Sequence, residues 1–199
     1  MDEIKNARDI AQEKIERVGD ITEADRLRWK YLPEGEKLAA RFLKEGHDFI
    51  AELGAQPTDA QPYIKKGLES VFISAVVLPQ SDTAKIRNNR ALDGVISLKK
   101  DRDAASRLID QMRQVLDHYT DQGEKQRKAT YEKLKDQYEQ KLRHAMDKQL
   151  GGASGLEGMK ISVESLPQFQ DEWRRVSAQL DQQYIKLLDE FKRELAIIK

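Results

Sequence analysis

The sequence predicts an all-α protein: an N-terminal helical bundle, or head, followed by a long antiparallel C-terminal helical hairpin of coiled-coil-like character. Three observations carry this reading. Phe169, Trp173, Val176, Leu180, Tyr184, Leu187, Phe191, Leu195 and Ile198 recur at steps of four, three and four, an eleven-residue apolar period close to the pitch of a straight α-helix. Tyr131, Leu134, Tyr138, Leu142 and Ala145 repeat the rhythm, and two such stripes joined by a loop zip into an antiparallel pair. Four of the five prolines fall before residue 80, so the front of the chain is cut into short helices while the back runs in long ones.

Composition agrees. Charged residues make up 35% of the 199 and aromatics 7%, which favours long helices with narrow buried seams over a bulky globule. Thirty-five Lys and Arg face thirty-five Asp and Glu, and a formal charge of zero argues against a strong field for nucleic acid or anionic lipid. The absence of cysteine excludes disulfides, thiolate catalysis and Cys-based metal sites. The opening residues Met1–Lys5 lack a signal-peptide pattern, and the longest apolar stretch, Leu68–Leu78, is too short to span a bilayer. The expectation is a cytoplasmic protein.

The first helix is expected over Glu3–Val18, with Ile4, Ala7, Ala11, Ile15 and Val18 on one face and Gly19 closing it. Thr22, with Asp25 three residues on, then forms an N-cap. Pro33 disfavours helical geometry at Leu32 and suits a first helical turn, which predicts a break there. A helix through Leu38, Ala39, Phe42 and Leu43 stops near Gly46, and a short one over His47–Leu53 ends at Gly54. Thr58 or Asp59 caps the next, with Pro62 in its first turn. That helix, Ala60–Leu78, is apolar on nearly every face, belongs in the middle of the bundle, and is ended by Pro79. Ser81 or Asp82 caps its successor.

Between the apolar clusters Ile86–Leu98 and Ala105–Tyr119 lies the run Lys99-Lys100-Asp101-Arg102-Asp103. Five consecutive charges point around all sides of a helix, so this turn cannot be buried on any face. The helix either emerges into solvent here or breaks. The domain boundary falls at this point, dividing a head over 1–99 from a hairpin over 100–199 whose tip loop spans 151–165. Gly123 is a second candidate kink.

The hairpin's legs are Glu124–Leu150 and Leu166–Ile198, about 40 and 50 Å long by helical rise. Gly151–Gly155 is a flexible linker. Met159–Val163 is the one strand-like run, and Ser165 with Gln168 restarts the helix as a capping box. A lone strand cannot satisfy its own backbone, so Met159, Ile161 and Val163 are candidate partner-binding residues. Trp29, Tyr31 and Trp173 join them, because such aromatics are enriched in binding hot spots. Core packing is the role that the regular spacing around Trp173 favours.

Catalytic and cofactor patterns fail on context. His118 with Asp121, and His144 with Asp147, each put two metal-ligating groups on one helical face. The Glu-x-x-His pairs of di-iron bundles are absent, since Lys44, Val115 and Lys141 stand three before each histidine. The glycines of 151–158 follow a helix rather than a strand and lack a following Gly-Lys-Ser/Thr, and Ser154 sits in no nucleophile elbow. No cofactor is expected. The basic residues Lys125, Arg127, Lys128, Lys133, Lys135, Lys141 and Arg143 are interleaved with carboxylates, a solvated face rather than a nucleic-acid footprint. No helix joins a bulky apolar face to a basic one, as membrane-surface binding requires.

Two stretches, Leu27–Leu43 (LRWKYLPEGEKLAARFL) and Gln168–Val176 (QFQDEWRRV), resemble a bacterial family of helical proteins of unknown function. The resemblance covers most of the chain, carries no catalytic motif or site residues, and implies a bacterial or archaeal cytosolic origin. The expected role is a non-enzymatic interaction or scaffolding protein that presents its hairpin to a protein partner, including a second copy of itself. A nucleic-acid- or ribosome-associated helical factor is the alternative.

Overall fold

The computed structural model describes residues 22–150 and 162–199. The helix expected over Glu3–Val18, the Gly-rich linker, and Met159 and Ile161 lie outside the described residues. Helix α1 (Glu23–Glu45) starts at the expected capping box: the Thr22 hydroxyl accepts from the Asp25 amide, and the Asp25 carboxylate accepts from the Thr22 amide. It ends at Gly46, whose φ of 73° is the left-handed C-cap conformation.

The break expected at Pro33 does not occur, for α1 runs straight through it. An interior proline forfeits a ladder bond and crowds a carbonyl, at about 3 kcal/mol. Close helix packing offsets that cost. A Cβ on Gly35 would lie 2.1 Å from the Ile64 carbonyl oxygen, and one on Gly67 would lie 2.3 Å from the Leu32 oxygen. The glycines therefore let α1 and α3 (Gln61–Ala75) touch backbone to backbone. Gly35 meets Ile64 and, seven residues on, Phe42 meets Phe72, so the two helices run parallel. Helix α2 (Phe49–Gly54), capped by Asp48, brings Phe49 edge-on to Phe42 and Phe72 at 4.9 and 5.3 Å.

Helix α3 begins after Ala60 with no side-chain cap, instead of the expected Thr58 or Asp59, and stops at Ala75 rather than reaching Leu78. Asn88 explains the early stop. Its side-chain amide accepts from the Val77 N–H at 3.1 Å and donates to the Val77 carbonyl at 2.6 Å, holding that residue out of the helix. Helix α4 (Asp82–Leu98) is capped by Ser81, as expected.

The charged run breaks the chain, and α5 (Arg102–His118) restarts from an Asp101 cap. Lys99, however, is buried, contrary to the expectation that no residue of this turn could be. Its amine donates to the Glu69 carboxylate and to the Ile198 carbonyl, the pairing a buried charge requires. The kink expected at Gly123 is a π-helical turn, Tyr119–Gly123, which joins α5 to α6 (Glu124–Leu150) without interruption.

The strand expected over Met159–Val163 is not formed at its described end. Val163 opens a 3₁₀ turn (Val163–Ser165) and is buried against Leu134 and Phe169. Ser165 does not cap the last helix; its hydroxyl donates to the Ser162 carbonyl, and α7 (Pro167–Ile197) starts after Leu166 with no side-chain cap.

Helix α7 lies antiparallel to α6, the π turn and α5 in succession. Lys135 pairs with Glu164, Tyr131 packs on Trp173, Tyr119 packs on Tyr184, and the Lys100 and Asp101 amides donate to the Lys199 carbonyl. Only the first half of α7 therefore zips with α6. Its second half joins the head, where Leu188 and Leu195 share one core with α1 to α5, across the 99/100 division. The stripe is offset there: Leu188 is buried and Leu187 is 39% exposed. The distal hairpin has its own small core of Leu134, Val163 and Phe169. No helix among the described residues is long and apolar enough to cross a membrane.

Candidate functional site at the root of the hairpin

Two features converge on the π turn, a geometry that frequently marks functional positions in helices. On one side is a polar cleft of about 470 Å³ between the Pro79–Asp82 turn, α4, the π turn and α7. Tyr119 forms its floor at 2% exposure. The Arg127 guanidinium lies 4.2 Å above that ring and 3.4 Å from the Asp181 carboxylate. Gly123 leaves the room for this, since a Cβ there would stand 3.3 Å from both Arg127 and the Tyr184 hydroxyl. Burial pushes the Tyr119 phenol up from its usual range, and the nearby Asp181 carboxylate adds to the rise. A neutral phenol beneath a paired guanidinium is a rigid polar surface, with hydrogen-bonding edges and little net charge.

On the other side is an open groove of about 490 Å³ between α5 and α7. Val115, Tyr184, Leu187 and Phe191 line it with apolar surface, and Gln111, Gln114, Gln183 and His118 complete the lining. Tyr184 lines the groove and reaches the cleft through Tyr119. Its ring meets Tyr119 edge-on at 5.1 Å, and its hydroxyl lies 2.9 Å from His118 Nδ1, one group donating to the other.

The partner-binding candidates read from the sequence fall into separate places. Trp29 is 62% exposed on α1, while Tyr31 packs against the head core. Trp173 packs against the distal core, edge-on to Tyr131 at 5.0 Å, and Val163 is part of that core. His118 is engaged with Tyr184, and its expected companion Asp121 pairs with Lys125 at 2.9 Å. The Lys125 hydrogen bond holds the Asp121 carboxyl below the usual carboxylate range. Among the described residues, no three His, Asp or Glu gather as a metal site would require.

The groove was missed because Val115, Tyr184, Leu187 and Phe191 sit on stripes that read as core. The available signal was the company they keep, three glutamines and a histidine in a chain otherwise dense in charge.

Fold and site together define an all-helical protein whose hairpin is rooted in a bundle, with a polar cleft and an uncharged groove on either side of the root. Residues 50–196 match the model of DUF6657, a family of unknown function, and the chain belongs to that family. Of the two stretches that carry the resemblance, Gln168–Val176 lies inside the matched span and Leu27–Leu43 precedes it. Nothing among curated proteins and nothing among solved structures matches the chain.

Proposed function

We propose that this chain is a non-enzymatic interaction or scaffolding protein that acts through its helical hairpin. The observation that carries the reading is how the hairpin is built. One run of helix continues from Arg102 through the π turn to Leu150, about 70 Å by helical rise. It is braced by α7, and its distal part packs on a core of its own. Such a construction holds a surface at a fixed distance from the head, which suits presentation to a partner. The groove at its root adds apolar surface of the kind that interfaces bury.

The nucleic-acid alternative has less support. Lys125, Arg127, Lys135 and Arg143 each have a carboxylate within ion-pair distance: Asp121, Asp181, Glu164 and Glu139. Phosphate binding would have to displace those partners.

The test is site-specific photocrosslinking in the protein's own cell, with the photoreactive residue at Lys133 on the hairpin, at Leu187 in the groove, or at Lys65 on α3 as control. All three positions are solvent-exposed. A discrete protein adduct from Lys133 or Leu187 and none from Lys65 is the expected result. No adduct above the Lys65 control, or an adduct with nucleic acid in place of protein, would overturn the reading.

A further inference from the structure

Whatever the hairpin binds, we propose that Lys99 is a register lock: it decides where along its own axis α7 docks on the head, and without it α7 slides by one turn. Sliding is built into the stripe. The residues that α7 turns toward the π turn and the head, Tyr184, Leu188, Phe191, Leu195 and Ile198, follow one another at steps of three or four. Opposite them, α5 buries Leu108, Met112 and Leu116 at steps of four. A move of one turn therefore brings Leu188 to the place of Phe191, Phe191 to that of Leu195, and Leu195 to that of Ile198, apolar on apolar throughout. The distal seam repeats in the same way, with Phe169 and Trp173 against Tyr131, Leu134 and Tyr138. Such seams leave the register to size and shape alone, and one-turn ratchets of one helix past another are an established kind of conformational change.

The contacts at the end of α7 do not repeat. Lys99 sits at the joint between α4 and α5 with its side chain 4% exposed, and its amine donates to the Glu69 carboxylate of α3 and to the Ile198 carbonyl. The Lys100 and Asp101 amides donate to the next carbonyl, that of Lys199, at 3.0 and 2.8 Å. All three donors need carbonyls outside the helical ladder. In α7 these lie only in the last turn and beyond, where Ile198 leaves helical geometry. A turn forward would offer Glu194 and Leu195 in place of Ile198 and Lys199, and the Glu194 carbonyl already accepts from the Ile198 amide. A turn backward would withdraw both carbonyls. Stability alone does not account for a charge here, since apolar residues of similar size often serve as well or better, and the best-attested use of a buried polar contact is to fix register. Lys99 is thus a positioning residue, which selects one apolar pairing among several.

Double electron–electron resonance reads the register directly. Nitroxide labels go on Arg107→Cys of α5 and Gln179→Cys of α7, both exposed and offset along the helix pair, in a sequence with no cysteine of its own. With Lys99 intact, one distance is expected. Lys99→Met combined with Glu69→Gln removes both charges together, so that neither is left unpaired. This variant is expected to keep its helicity and its thermal transition by circular dichroism. It should nevertheless show a second distance displaced by about 5 Å, one helical turn, in roughly a tenth of the molecules or more. The Lys100 and Asp101 amides remain in place, which keeps the native register the larger population. A single unchanged distance in the double variant would show that packing sets the register unaided, and two distances with Lys99 intact would show that Lys99 does not set it. Either result overturns the proposal. So does loss of the fold in the double variant, the mark of a contact that only stabilises.

Discussion

Ile64, Leu68 and Phe72 are wholly removed from solvent in the head, whereas among the described residues of the distal hairpin the core is Leu134, Val163 and Phe169, each with a few per cent of its surface wet, and partly buried neighbours around them. The head draws its core from α1 to α5 and the end of α7, so its inner side chains are covered from several directions. A two-helix pair has one seam, and every other face of each helix meets water. The hairpin compensates with large aromatics: Tyr131 and Tyr138 each meet Phe169 edge-to-face at 5.5 Å, and Trp173 closes on Tyr131. Polar tips finish the seam, with the Tyr138 hydroxyl donating to Glu172 at 2.5 Å and Lys135 bridging to Glu164. A thick core gains stability from buried area in all directions. A thin one depends on a few large contacts, and can open without the rest of the molecule.

The sharpest way to break the comparison is to strike the head. Phe72→Ala should cost about 3–5 kcal/mol and lower the thermal transition of the whole chain, measured by circular dichroism. Asn88→Ala should follow at roughly 2–3 kcal/mol, because it removes both hydrogen bonds that hold Val77 and empties a buried site. Phe169→Ala should move the global transition by only about 1 kcal/mol, since local opening caps what the hairpin can lose. Its mark should be faster amide exchange across Thr130–Leu142, with α1 and α3 unchanged. A global loss as large as that of Phe72→Ala would instead make head and hairpin one cooperative unit.

Acid should give the smallest effect. The Lys135 hydrogen bond holds the Glu164 carboxyl below the usual carboxylate range. The native hairpin therefore binds fewer protons at this group than the unfolded chain does. Its contribution is present above the ordinary glutamate value of about 4.3 and is lost as pH falls below that through the lowered native value. With Trp29→Phe leaving Trp173 as the one tryptophan, its fluorescence should change in that window before the head's helicity does. Simultaneous change in both would contradict the separation.

Much of the architecture was legible, for reasons that differ by element. The legs Glu124–Leu150 and Pro167–Ile197 stood within a residue of their expected bounds because a long stripe ended by glycines or begun by proline leaves little choice. The failures share a cause, a distant contact that overrides a local signal. Pro33 stays inside α1 because Gly35 and Gly67 dock that helix on α3, and α3 stops short because Asn88, eleven residues ahead, captures Val77. The groove was hidden differently. Periodicity says which residues share a face, but the same leucine serves whether that face meets the core or another molecule. Leu187 and Leu188 are adjacent leucines with opposite fates, and only the placement of α7 against α5 separates them.

The π turn carries a consequence for how this hairpin is tuned. Removing one residue from Tyr119–Gly123 would turn everything beyond it by about 100° around the helix axis while shortening it by only ~1.5 Å. Adding eleven residues to each leg, three turns and a small remainder, would lengthen the hairpin by about 16 Å and leave its bearing almost unchanged. Bearing and reach are thus written in different parts of the chain, the one in a single residue at the root and the other in the number of repeats along the legs. Each can drift in evolution without disturbing the other.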